Sequence, residues 1–185
     1  MSVLTTAPRT RAARTIAVSA LALSSLMAAA PADAAVDDFR DARGDIRYGA
    51  DLQRVRVVNE KMIRVRILHR DLRPRATAGA AIYFDTDRSR RGPEFAFVGG
   101  ISDGTDYAMV RTRRWSTNGR RVNCSYNLRL NYAEDISQFR MSRRCLARPE
   151  AIRVAVRVGA ARGDGTEATD WLRSRRAFTR SVARG

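Results

Sequence analysis

Apolar and polar residues alternate with period two through much of the chain beyond residue 50. In 53–58, Val55 and Val57 fall on one side and Arg54 and Arg56 on the other. In 62–69, Ile63, Val65 and Ile67 oppose Arg64 and Arg66, and in 151–158 Ile152, Val154, Val156 and Val158 oppose Arg153 and Arg157. Successive side chains of a strand point to opposite faces, so this pattern predicts half-buried strands. Two shorter runs, Ala80-Ala81-Ile82-Tyr83-Phe84 and Phe95-Ala96-Phe97-Val98, are apolar throughout and end in turn residues. They predict strands buried on both faces. Further strands are predicted over 107–115, 122–132 and 136–142, and no long stretch has helical spacing. The expected fold is all-β, a single antiparallel β-sandwich of about eight or nine strands over 36–185.

Matching apolar faces also predicts registers. A turn at Asn59-Glu60-Lys61 pairs Val57 with Ile63 and Val55 with Val65, which sets Arg56 opposite Arg64 and Arg54 opposite Arg66. Like charges directly opposite one another are unfavourable by a fraction of a kcal/mol per pair. Such a face calls for interleaved carboxylates, for water, or for an anionic ligand. In 122–132, Cys124, Tyr126, Leu128, Leu130 and Tyr132 share one side. A hairpin centred between Glu134 and Asp135, with a two- or four-residue loop, pairs Leu130 with Phe139 and Leu128 with Met141. The same register brings Cys124 opposite Cys145, so apolar pairing and cysteine pairing agree on a disulfide. Asn118-Gly119 has the composition of a type I′ hairpin. It sets Trp115 opposite Val122, in the core, and leaves Trp171 and Tyr107 as the aromatics open to a sugar.

The first 35 residues stand apart from this pattern. Arg9, Arg11 and Arg14 precede an uncharged stretch over 15–30, and small-residue cleavage sites follow at 30–34. That order is a secretory signal peptide. The stretch is shorter than the ~20 apolar residues of a membrane span, and no adjacent arginine pair precedes it, which favours general secretion. A secreted chain whose only two cysteines are Cys124 and Cys145 favours a disulfide, and two cysteines with one distant histidine cannot form a four-ligand zinc site. Residues 1–35 hold three of the arginines and one aspartate, so the rest carries +14 of the formal +16. Lys61 is the one lysine. Arginine forks bind carboxylate, phosphate and sulfate bidentately, and strong basicity is an argument about partners.

Candidate chemistry gathers at two acidic turns, Asp85-Thr86-Asp87 and Asp103-Gly104-Thr105-Asp106. Hard cations take such oxygens, so Asp85, Asp87, Asp103 and Asp106 form a speculative calcium site. The 85–96 stretch is no EF-hand, because Arg90 stands where glycine is required and Ala96 where the closing glutamate belongs. Aspartates at strand ends otherwise cap turns through their own backbone. His69 is the one histidine and carries no flanking nucleophile signature. A helix–turn–helix, a stacked aromatic platform and a basic tract are all missing from the sequence, which sets nucleic acid aside as a partner. The pattern Asp51-Leu52 with Val55-Arg56-Val57, then Ile82-Tyr83-Phe84-Asp85-Thr86-Asp87, then Gly92 and Gly104-Thr105-Asp106-Tyr107 resembles exported bacterial β-sandwich domains of the carbohydrate-binding family 9 and DOMON-like type. The resemblance covers about residues 51–110 and implies the sandwich, with sugar or haem as ligands of the related families. The expected function is a secreted, non-enzymatic module whose Arg54, Arg56, Arg64 and Arg66 bind acidic polysaccharide or another envelope polymer. The alternatives are a neutral-sugar or calcium-dependent carbohydrate module and, further back, a carboxylate-based hydrolase.

Overall fold

The computed structural model describes residues 35–44, 46, 51–161 and 164–185. The described residues all belong to one compact unit, 31–185. The predicted signal peptide lies, up to its last residue, outside the described residues.

Eleven strands are found among the described residues, more than the eight or nine expected. They are β1 (Val36–Arg40), β2 (Asp51–Asn59), β3 (Met62–Arg70), β4 (Ala78–Asp85), β5 (Phe95–Gly100), β6 (Tyr107–Arg111), β7 (Tyr126–Asn131), β8 (Ile136–Ser142), β9 (Ala151–Ala161), β10 (Glu167–Trp171) and β11 (Val182–Ala183). All pairings are antiparallel and form two sheets, β1-β2-β3-β8-β7 and β10-β9-β4-β5-β6, with β11 on the β9 edge of the second. The extra strands are β1, β10 and β11. Their sequences are too short or too polar to show an alternation, and each pairs only at the margin of a sheet.

The inward residues of both sheets meet in one core. Val55, Val57, Ile63, Val65, Ile67, Phe139 and Met141 come from the first sheet, and Ile82, Phe84, Phe97, Val154 and Val156 from the second. Phe97 of β5 meets Phe139 of β8 edge to face with ring centroids 5.0 Å apart, which joins the two layers directly. Each such buried side chain stabilises the fold by about 1.5–3 kcal/mol. The continuous apolar run of β4 is buried on both faces as its composition predicts: Ile82 and Phe84 point into this core, and Tyr83 into a second apolar cluster on the outer side.

Both predicted hairpin registers are shifted, and parity survives in each. In the β2–β3 hairpin Val57 pairs with Val65 and Val55 with Ile67, so Arg56 faces Arg66, Arg54 faces Leu68 and Arg64 faces Val58. The loop takes three residues, 60–62, so the hairpin centre moves one position along the chain. In the β7–β8 hairpin Leu128 pairs with Phe139 and Tyr126 with Met141. Its loop is Tyr132-Ala133-Glu134-Asp135, closed by a left-handed Asp135 (φ 55°). Asp135 is tied to the end of β3, its carbonyl accepting from the His69 amide at 2.8 Å and its Oδ1 from the Leu72 amide at 2.7 Å. Those two bonds select the loop.

The Cys124–Cys145 disulfide forms despite that shift, with Cα atoms 5.5 Å apart. Cys145 lies in a 3-10 turn, Arg143–Leu146, capped by the Ser142 side chain. A 3-10 turn rises only about 2.0 Å per residue against about 3.3 Å for a strand, and this shortening absorbs the offset.

Asn118-Gly119 is not the tip of a two-residue hairpin. The tip is Arg114-Trp115, both with positive φ (54° and 67°), and the Ser116 amide donates to the Arg113 carbonyl across it at 3.2 Å. Positive φ at both central residues is the type I′ signature. The returning chain bridges Val110 to Arg121. Gly119 is needed for a different reason: a Cβ there would fall inside the Arg111 carbonyl.

Candidate functional site

The outward residues of the first sheet form three rows across its five strands. One runs Asp38, Arg56, Arg66, Gln138, Arg129; the next Arg40, Arg54, Leu68, Ile136, Asn131; the third Val36, Val58, Arg64, Arg140, Asn127. The four arginines singled out from the sequence, Arg54, Arg56, Arg64 and Arg66, share this face, and β1, β7 and β8 add Arg40, Arg129 and Arg140. Three carboxylates interleave. Arg56 meets Asp38 at 3.4 Å, Arg64 meets Glu60 at 3.0 Å and Arg66 meets Glu134 at 3.5 Å, every partner about half exposed. Arg40, Arg54, Arg129 and Arg140 make no ion pair among the described residues. Three like-charged pairs stand directly opposite each other: Arg40 with Arg54, Arg56 with Arg66, and Arg64 with Arg140. The sequence reading missed the last three arginines because β1 carried no strand signal and the β3–β8 pairing joins segments far apart in the chain. A shallow depression of about 160 Å³ lies on this face, where Arg54, Arg56 and Arg66 surround Leu68 and Ile136.

The acidic turns do not converge. Phe84 pairs with Phe95 at one end of the β4–β5 hairpin and Gly79 with Gly100 at the other. Asp85 and Asp87 follow the first end, Asp103 and Asp106 the second, about 20 Å apart at strand rise. Asp85 is buried and ion-paired with Arg153. Asp87 accepts from the Ser89 amide at 3.0 Å and meets Arg90 at 3.2 Å. The Ser89 hydrogen bonds, reinforced by the Arg90 charge, hold its carboxyl below the usual carboxylate range. Asp103 and Asp106 are exposed, and the Asp103 amide donates to the Pro74 carbonyl. No group of three or more metal-type side chains stands together among the described residues. Asp85 and Asp87 act as turn caps and pair partners through their side chains. The two turns stand further apart than the roughly 5–9.5 Å of a glycosidase carboxylate pair.

His69 has a serine after all. Its Nε2 lies 2.7 Å from Ser137 Oγ across the β3–β8 pair. Both residues are buried, 1% and 0% exposed, and both point into the core. The contact satisfies two polar groups inside the apolar layer and has no opening toward a substrate.

The outer face of the second sheet is built differently. Its rows hold Gly79, Gly100 and Gly159, then Ala81, Val98 and Ala108 beside Arg157 and Trp171, then Ala96, Val110 and Ala155 beside Tyr83. Small residues make a floor, and the connections 112–125 and 172–181 rise over it. Trp115, at the tip of the first, stacks on Phe178 of the second at 4.9 Å and meets Tyr83 edge to face at 5.0 Å. Trp171 stacks on Tyr83 at 5.9 Å. Trp115 is thus half-exposed on the outside of the sheet, not opposite Val122 in the core, because the hairpin tip lies at Arg114-Trp115. Trp171 is on the outer face with it. Tyr107 instead packs between the sheets against Phe97 and Tyr126.

A cavity of about 500 Å³ opens beside these rings, lined by Tyr83, Trp115, Thr169, Trp171 and the arginines Arg157, Arg175 and Arg176. Burial pushes the Tyr83 hydroxyl up, while the Arg157 charge and hydrogen bond and the Arg176 charge pull it down. Arg157 also lines a neighbouring groove of about 600 Å³, with Thr77, Thr105, Thr117, Asn118 and Thr166 on its walls. Among the described residues no helix is long and apolar enough to cross a membrane. No protein-family model matches the chain, and no curated protein matches it.

Proposed function

We propose that this protein is a secreted β-sandwich that binds an anionic glycan or other acidic envelope polymer across the outer face of its first sheet. The observation that carries the reading is the grid of seven arginines with three like-charged cross-strand pairs. Strands lie about 4.8 Å apart and same-face residues about 6.6 Å apart along each strand, so guanidinium groups recur at short intervals across the face and can meet successive charges of one polymer. Each planar fork binds a carboxylate or sulfate through two parallel hydrogen bonds. A bound polyanion relieves the repulsion within each arginine pair, while the half-exposed carboxylates Asp38, Glu60 and Glu134 contribute little and give way readily. The disulfide suits an oxidising, extracytoplasmic setting, in keeping with the leader-like first 35 residues.

The test is titration with polygalacturonate at several salt concentrations, comparing the native chain with a variant in which Arg54, Arg56, Arg64 and Arg66 are all glutamine. The variant binds about tenfold or more weakly, and its affinity falls less steeply with salt, because fewer counterions are exchanged. Unchanged affinity and unchanged salt dependence would refute the reading.

A further inference from the structure

We infer that the cavity between the 112–125 and 172–181 connections is a second, separate binding site, one that takes a small ring-shaped ligand bearing a carboxylate. The ring lies against the indoles of Trp115 and Trp171, and the carboxylate meets Arg175 and Arg176.

Two of the three arginines that line this cavity carry no counter-charge among the described residues. Arg153 is ion-paired with the buried Asp85, and Arg157 with Glu167. Arg175 and Arg176 line the cavity and make no ion pair among the described residues. Both are exposed, beside the partly buried rings of Trp115 and Trp171, so their guanidinium groups are free to form charge-assisted hydrogen bonds. The two walls are also held in costly conformations. Trp115 on one wall and Arg176 on the other have left-handed φ values of 67° and 61°. Each costs about 1–2 kcal/mol for a non-glycine residue. Strained positions of this kind gather where a ligand clamp is pre-formed, and two of the eight such residues in the described chain line this cavity.

The dimensions fit the chemistry. A cavity of about 500 Å³ lies within the range of small-molecule sites, and it sets three aromatic rings beside three arginines. The alternative, that the four aromatics only seal the outer side of the β4–β5–β9 sheet, explains Tyr83, which is 2% exposed. It does not explain two unpaired arginines on the rim. An apolar seal needs no cations. The arginine grid of the first sheet lies on the other outward face, so this site does not depend on it.

Both tryptophans of the chain, Trp115 and Trp171, line this one cavity, so intrinsic tryptophan emission reports on it alone. The native protein is titrated at low salt with galacturonate and with 4-hydroxybenzoate, each beside its uncharged counterpart, galactose and methyl 4-hydroxybenzoate. Emission changes saturably with at least one acid and not with its neutral partner. A response to galacturonate makes the ring a sugar, and a response to 4-hydroxybenzoate alone makes it planar and aromatic. The double variant Arg175→Gln, Arg176→Gln keeps the native emission spectrum without ligand and binds the responding acid about tenfold or more weakly, the loss expected for charge-assisted hydrogen bonds. The glutamine variant of Arg54, Arg56, Arg64 and Arg66 keeps the full response, which separates this site from the polymer face. Silence toward both acids at millimolar concentration overturns the inference. So does equal response to charged and neutral rings, or undiminished binding by the double variant.

Discussion

Asp38 and Arg56 meet on the first sheet at 3.4 Å with their side chains 42% and 52% exposed, whereas Asp85 and Arg153 meet on the second with the Asp85 side chain 1% exposed. The two pairs have the same chemistry and opposite surroundings. On the first sheet most outward residues are long and polar, and water reaches each paired charge. On the second, glycine and alanine keep the face low, and two connections fold back over it with Trp115 and Phe178 at their tips. Uniform strand alternation therefore yields a flat, wet, cationic face on one side and a roofed, aromatic recess on the other. What decides between them is the size of the outward residues and the length of the loops at the sheet ends.

The largest difference between the faces is expected in stability. Arg153→Gln leaves Asp85 buried without its counter-charge and costs about 3–5 kcal/mol, while Arg56→Gln costs less than about 1 kcal/mol. Urea unfolding of the two variants measures this, and similar costs would erase the distinction drawn between the faces. A smaller effect of opposite sign belongs to Arg54, which faces Arg40 and makes no ion pair among the described residues. Arg54→Glu stabilises the fold by about 0.5 kcal/mol at low salt, and the gain fades as salt rises. A stability loss there would mean that the arginine grid is not under repulsion.

A third effect is confined to alkaline solution and concerns the β7–β8 turn. Burial, with the neighbouring Asp103 carboxylate, pushes the Tyr132 hydroxyl up to about 12, above the ordinary value near 10. The folded state therefore holds this proton more tightly than the unfolded state. Its contribution is complete below pH 10 and is lost as pH rises toward 12. Tyr132→Phe shows a shallower fall in thermal stability over that interval, and identical slopes would place the hydroxyl in an ordinary aqueous setting.

The first sheet was far more legible in the sequence than the second. Val55 and Val57 against Arg54 and Arg56, and Ile63, Val65 and Ile67 against Arg64 and Arg66, announce their strands because one face is core and the other water. Parity then fixes which residues share a face, and the Cys124–Cys145 link follows from the same parity. Register did not follow, because loop length is set by contacts that alternation does not contain, such as the bonds from Asp135 to His69 and Leu72. The recess on the second sheet was hidden for a stronger reason. Its side chains come from β4, β9, β10 and two loops, and Trp115 reaches it through a positive-φ turn at Arg114-Trp115 that no preferred turn residue marks. Asn118-Gly119, four residues further on, offered the familiar signal and drew the hairpin to the wrong place. The acidic turns misled in the opposite sense: Asp85, Asp87, Asp103 and Asp106 are close in sequence, yet an extended hairpin holds them at its two ends.

The most direct measurement of the central claim is arginine modification by phenylglyoxal, mapped by mass spectrometry with and without polygalacturonate. The arginine grid predicts that Arg40, Arg54, Arg56, Arg129 and Arg140 are all shielded by the polymer, in proportion to its binding and more strongly than Arg175 and Arg176 on the other face. Protection centred on Arg175 and Arg176, or no difference between the two faces, would contradict it.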